Sequence, residues 1–487
     1  MLQRKYFQDG GQINQIICAL LINLPVLSYG CSVGWMSPMT LLLQSKDSPR
    51  GTPLTDLEVS WMASVPYLVC IPCDLLMAVI TDKWGRKTAL ILISISSAIS
   101  WILLLSSFNI WVLILGRALV GISMAGSYVT CPIYTKEISD DNIRGALGCL
   151  VILFQTTGNL FLYIIGDILS YNSILWICLA IPGIHILLFI LMPDSPSYLL
   201  KKGRIEDTTR ALSWLRCRPA GDPKIEQELD LIRAEQNKDE SNNFLLKDIY
   251  QDKILFRAFI IAMVTTLSRE ACGAVPVLNF AGEIFSLASS DNNLRLSPNQ
   301  QAMLLGGVQV LGSALASSLV EKSGRKPLLF TTSLLSGISM CTLASWFLLR
   351  DNGILAPSWL PLVTLCVCIF CDSSGLQPMS VVITGEIFSF RYRGTILAIT
   401  MACASLFDFV QLLFFKSLAN AVGIHVSFYF FGILCLLMAL YVILAIPETR
   451  ARSLEDIYKD LVKKKDLMGI INDERYVETK DREVSRI

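Results

Sequence analysis

The feature that most restricts what this chain can fold into is a repeat. Asp82-Lys83-Trp84-Gly85-Arg86-Lys87 returns in the second part of the chain as Glu321-Lys322-Ser323-Gly324-Arg325-Lys326. Each copy is followed by an acid, six residues and Arg-Gly: Glu137 to Arg144-Gly145, then Glu386 to Arg393-Gly394. Each set closes on a third element, Pro193-Asp194-Ser195 or Pro447-Glu448-Thr449. Three motifs repeated in one order predict two related halves.

Composition says where such halves live. With 53% hydrophobic and only 17% charged residues over 487 positions, the chain has too little charge to clothe a soluble globule. Its mean hydropathy of +0.54 fits a membrane protein. A net charge of +1 offers no polybasic field, so nucleic acid is not an expected partner. The 15 cysteines fall mostly inside apolar runs, where they read as small lipid- or helix-facing residues rather than metal or redox ligands.

Met1 to Gly11 is polar, and an apolar run follows from Ile13 to Trp35 without a small-residue cleavage site, which predicts a first spanning helix. Further runs long enough to span, for which roughly 20 residues are needed, fall near 58–80, 88–107, 111–134, 145–167 and 173–192. After the linker they resume near 255–286, 299–320, 327–349, 359–387, 394–418 and 425–446. The expected organisation is an N-terminal six-helix bundle (1–192), cytoplasmic linker helices (193–253), a C-terminal six-helix bundle (254–446) and a cytoplasmic tail (447–487). In the linker Ile225, Leu229 and Ile232 recur at helical spacing, which predicts short amphipathic helices.

Basic residues set the orientation. The motif loops hold Lys83, Arg86, Lys87, Lys136, Arg144, Lys322, Arg325, Lys326, Arg391 and Arg393, against Lys46, Arg50, Arg295, Arg350 and Lys416 in the alternate loops. The motif side and both termini are therefore expected to be cytoplasmic, with Asp291 to Leu296 outside.

These motifs, together with Gly116-Arg117, Pro132-Ile133-Tyr134 and Pro193-Asp194-Ser195-Pro196, resemble the sugar-porter branch of the major facilitator superfamily. Gly30 to Pro38 and Pro447 to Ile457 are similar in particular to the insect facilitated trehalose transporters. The resemblance implies an all-α membrane protein, twelve transmembrane helices in two pseudo-symmetric bundles, acting by alternating access without a cofactor. It implies a cytoplasmic gate of Asp82, Arg86, Glu137 and Arg144 facing Glu321, Arg325, Glu386 and Arg393. Exposed ion pairs contribute only ~0–1 kcal/mol each, which suits contacts that must open. The plain alternative for these charges is solvated loops.

The pocket departs from the family pattern. The fifth-helix glutamine position is Ile152, with Gln155 one turn later; the paired glutamines of the seventh helix are Arg269 and Glu270, and its asparagine is Val275. The eighth-helix asparagine is Gln309, only Pro378 survives of Pro-x-Pro-Trp on the tenth, with Ser380 and Val381 following, and the eleventh-helix asparagine is Ala404. The implied solute contacts are Gln155, Arg269, Glu270, Asn279, Gln309 and Asp408.

Asp74, Arg269 and Asp408 lie inside spans, with Glu270 beside Arg269; such groups line cavities or pair. Arg269 and Asp408 are expected to compensate each other, an Arg269–Glu270 pair being the alternative. Asp74 is expected to pack or gate. Glu283 and Asp167 read as wetted helix ends, and His185 and His425 as core or interface residues. Tyr29 to Gly34 lacks the aspartate that family symporters carry there, so uncoupled transport is expected, with Asp408, Asp74 or Glu270 the remaining route to coupling. No phosphate loop or metal spacing points to an enzyme. The expected function is facilitated transport of trehalose or a hexose by a plasma-membrane monomer. A carrier for another small polar or charged solute, and a non-transporting sensor, stay open.

Overall fold

The structure, a computed structural model, describes residues 12–46, 48–238, 249–289, 296–354, 356–388, 390–450, 452 and 454–461. Twelve helices among the described residues are long and apolar enough to cross a membrane. The first runs Ile13–Gln44, nine residues beyond the expected Trp35. It is interrupted at Asn23, just before Pro25, whose ring removes a backbone donor. Spans two to six are Asp56–Trp84, Arg86–Ser106, Ile110–Ile138, Asn142–Ile168 and Tyr171–Phe189. Spans seven to twelve are Lys253–Asn279, Pro298–Ser323, Arg325–Asp351, Leu360–Ile387, Gly394–Val422 and Ile424–Ala445.

Local chemistry fixes the ends. Thr55 and Glu58 form a reciprocal capping box at the second span, as do Ser297 and Gln300 at the eighth. At the repeated motif Gly85 (φ 97°) and Gly324 (φ 86°) adopt a left-handed backbone that lets one span end and the next begin at once. The linker supplies helices Pro196–Lys201, Ile205–Arg216 and Pro223–Lys238, in which Ile225 is buried and Leu229 and Ile232 are half-buried. Segment 290–295, expected to face outside, is not among the described residues.

Small residues let backbones meet. A Cβ on Gly30 would lie 2.2 Å from the Gln155 carbonyl oxygen, and one on Gly158 2.4 Å from that of Leu27, so spans one and five touch backbone to backbone. Gly121 stands in the same relation to Pro66. Arg117 pins the N-terminal half together, donating to the carbonyls of Met62 (3.0 Å) and Ser32 (2.6 Å) and to the Ser32 hydroxyl (2.8 Å). Trp111, Leu187, Leu191 and Leu444 point outward, as suits lipid.

Candidate functional site

The centre is built around a break. The helix Lys253–Glu270 stops, Gly273 takes φ 80°, and the chain restarts as Ala274–Asn279 with Pro276 inside. Arg269 and Glu270 both sit in the last turn of that helix, where adjacent side chains diverge by about 100°, and the long, flexible arginine side chain reaches back to its neighbour. Arg269 Nη1 accordingly lies 2.7 Å from Glu270 Oε1, and its Nε 4.0 Å from Asp372 Oδ1. The expected Arg269–Asp408 pair is replaced by this arrangement. Asp408 instead accepts from Gln411 Nε2 at 2.7 Å and lies near the Glu270 carboxyl.

Asp372, which sequence reasoning passed over, opens a π-helical turn, Asp372–Leu376, in the tenth span. π-turns recur at functional sites because they displace one residue from the helical register. Its signal was legible: an acid inside an apolar run, the argument that picked out Asp408. Two carboxyl groups, nearly buried, thus flank one guanidinium whose side chain is 19% exposed, with buried Asp408 nearby.

Amides frame this charge. Gln155 Oε1 accepts from the Tyr128 hydroxyl and, at 3.4 Å, from Gln377 Nε2 of the other half. Asn159 Nδ2 donates to Gln309 Oε1 at 3.2 Å, again between halves. Asn279 Nδ2 donates to the Val275 carbonyl at 2.9 Å. The Oδ1 atoms of Asn159 and Asn279 are buried without a hydrogen-bond partner. Tyr128 and Gln377 carry ordinary sequence signals for a helix interior, so only the fold distinguishes them.

At the motif end the two halves repeat one geometry. Arg86 clasps Glu137 through Nε (3.0 Å) and Nη2 (2.9 Å), with Asp82 at 3.3 Å. Arg325 clasps Glu386 through Nε (3.0 Å) and Nη2 (2.6 Å). Ser195 bonds to Glu137 as Thr449 bonds to Glu386. These clasps close inside each half rather than between halves. Arg144 donates to the Ser139 carbonyl at 3.2 Å, Glu321 is exposed, and the Arg393 side chain lies outside the described residues.

The third motif explains itself here. Asp194 accepts from the backbone N–H of Lys87 (3.2 Å), and Glu448 from those of Arg325 (3.0 Å) and Lys326 (3.1 Å), each capping the helix after the glycine. The two acids differ in ionisation. Burial pushes Asp194 up, outweighing its backbone bonds. Burial also acts on Glu448, but the N–H groups of Arg450, Arg325, Lys326 and Thr449 overcome it and hold the carboxyl below its ordinary value.

Two sequence expectations are corrected at the far end. Lys416, counted as an outer loop charge, lies within the helix Phe390–Val422 with a side chain only 4% exposed. Glu283, expected to be merely wetted, pairs with it at 2.9 Å. Asp167 matches its expected wetted end, accepting from Asn299 at 3.2 Å. Asp74 is buried and accepts from the Cys70 thiol at 3.6 Å; His185 is buried against Ser94 at 2.6 Å, and His425 is half-buried near Asp351.

The family model described as sugar (and other) transporter matches residues 19–461. The facilitated trehalose transporter Tret1 of Bombyx mori is 26% identical, covering 91% of this chain and 86% of the relative. The mouse solute carrier family 2, facilitated glucose transporter member 6 is 29% identical, covering 88% of each. Among solved structures, the inward-open xylose transporter XylE from E. coli superposes with a TM-score of 0.74 at 18% identity, over 92% of this chain and 100% of that one. That likeness establishes the major facilitator fold.

Proposed function

This chain belongs to the sugar transporter family, and on that premise we propose that it carries a sugar down its gradient by alternating access around the polar centre. It is a carrier and not an enzyme. The observation that carries the reading is the pair of amide contacts between halves, Asn159 with Gln309 at 3.2 Å and Gln377 with Gln155 at 3.4 Å. A sugar hydroxyl both donates and accepts, so it can take the place of either amide in such a contact. Asn279 Oδ1, buried and unpartnered, supplies a further acceptor. Trehalose and hexoses are the solutes suggested by the relatives' names.

The decisive experiment is uptake by proteoliposomes against labelled trehalose, hexoses and polyols. Saturable uptake that follows the sugar gradient and ignores an imposed pH gradient is the expected result. Failure to move every sugar, or movement only with a proton gradient, overturns the reading.

One observation favours a second solute class. Glu270 and Asp372 both face the single Arg269, so a sugar bearing an amine would meet a matching charge. Stronger inhibition by glucosamine than by glucose at equal concentration would favour it.

We further place the chain in the plasma membrane as a monomer, with both termini and the motif loops in the cytoplasm. The asymmetry of basic residues supports this orientation. Protease added to intact cells should spare tags at both termini, and loss of either tag reverses the topology.

A further inference from the structure

We propose that Lys416 is the latch of the outer mouth, a cation held by one acid from each half so that the mouth can open without stranding the charge. The proposal rests on the alternating-access reading above. Lys416 Nζ lies 2.9 Å from Asp56 Oδ1, at the start of the second span, and 2.9 Å from Glu283 Oε2, on the short helix after the broken seventh span. It also donates to Gln44 Oε1, at the end of the first span, at 3.0 Å.

The acid from the opposite half is held from both sides. Asp56 accepts from Gln44 Nε2 of its own half and from Asn420 Nδ2 of the other, each at 2.8 Å. Apolar walls flank the ammonium: Phe280 stacks on Phe415 at 5.7 Å, and Lys416 Nζ lies 5.7 Å from the Phe280 centroid. Lys416 is the most enclosed of the three charged groups, while the Asp56 side chain is 46% exposed.

That asymmetry makes the contact releasable. Parting the halves separates Lys416 from Asp56, whose carboxylate water can take over. Glu283 belongs to the same half as Lys416 and stays with it. A buried cation that lost every partner would be strongly unfavourable, and the second acid removes that penalty. The contact lies at the opposite end from the Arg86 and Arg325 clasps, which close inside their own halves. Weakening it should therefore favour the outward-open state.

The test uses the full chain with Ser37→Cys as reporter, a buried position whose hydroxyl accepts from the Gly282 N–H at 2.8 Å beneath the latch. A membrane-impermeant maleimide is added to right-side-out and inside-out vesicles, and the chain without the reporter gives the background. Lys416→Met should raise labelling from the outer side about tenfold, equivalent to about 1.4 kcal/mol. Lys416→Arg should label near the parental rate. Asp56→Asn should give a smaller rise, and its exposed position keeps the test alive if Lys416→Met is not inserted. Exchanging the charges, with Lys416→Asp and Asp56→Lys together, should lower labelling again. Parental labelling of inserted Lys416→Met, or an equal rise in Lys416→Arg, overturns the latch. A rise confined to inside-out vesicles supports the latch and overturns the topology.

Discussion

Arg269 is paired with its own neighbour: its guanidinium Nη1 lies 2.7 Å from the Glu270 carboxylate, in the last helical turn before the break at Gly273. Removing the guanidinium leaves Glu270, Asp372 and Asp408 facing one another. Arg269→Ala should cost about 3 kcal/mol of stability, the scale for breaking a buried pair, and abolish uptake. Asp372→Asn in the same chain should restore part of the thermal stability in detergent. Strict additivity of the two changes would exclude their coupling.

The clasps of the two halves should respond alike. Arg86→Gln and Arg325→Gln are each expected to lower uptake severalfold with normal membrane insertion, because a bidentate pair is lost at an otherwise intact loop. Adding Glu137→Gln to Arg86→Gln should cost little more, since the partner is already gone. Uptake and surface biotinylation measured together check this. Parental uptake in both single variants would reduce the clasps to loop solvation.

The two capping acids predict opposite behaviour with pH. Glu448 is held below its ordinary value, so it stabilises the fold above its unfolded pKa, and this is lost as pH falls through its folded one. Glu448→Gln should therefore lower thermal stability at neutral pH by about 1 kcal/mol, the scale of a helix cap, and the deficit should vanish in acid. Asp194 is pushed up, so its contribution is present below its unfolded pKa and lost as pH rises. Asp194→Asn should consequently cost less at neutral pH than Glu448→Gln does. Melting curves of both variants at neutral and acid pH decide it, and equal deficits at neutral pH would count against it.

Close backbone approach predicts sharp intolerance. Gly30→Ala places a methyl group 2.2 Å from the Gln155 carbonyl oxygen, and overpacking of this kind costs about 1–3 kcal/mol. Because that carbonyl belongs to a residue of the central amide frame, uptake should fall more than the amount of inserted protein. Gly183→Ala, with nothing within 4 Å, is the matched control and should be silent in both measurements.

Much of this architecture is written in one dimension. The twelve spans follow from run length, and the repeat exposes the two halves, because hydrocarbon thickness and backbone hydrogen bonding leave a chain little choice. Helix ends were less legible: the first span outruns Trp35, since Ser37, Pro38 and Thr40 are buried against other spans rather than exposed to water. The charges were hardest to read. Lys416 sits where a loop would be expected from its charge alone, and only the approach of Asp56 and Glu283 from distant parts of the chain allows it to stay in a helix. Asp372 obeyed the rule that identified Asp408, but its π-turn and its approach to Arg269 depend on the tertiary structure.

The duplicated clasps give the molecule a mechanical character. Each half closes its own guanidinium pair and is stitched to its own capping acid, Asp194 in one and Glu448 in the other. The arms are thus stiffened from within, like two rockers braced before they are hung. Little of the work of swinging is then dissipated in bending either arm, and it falls on the seam where they meet. Changes along that seam should therefore retune the speed of the transition while leaving both arms intact.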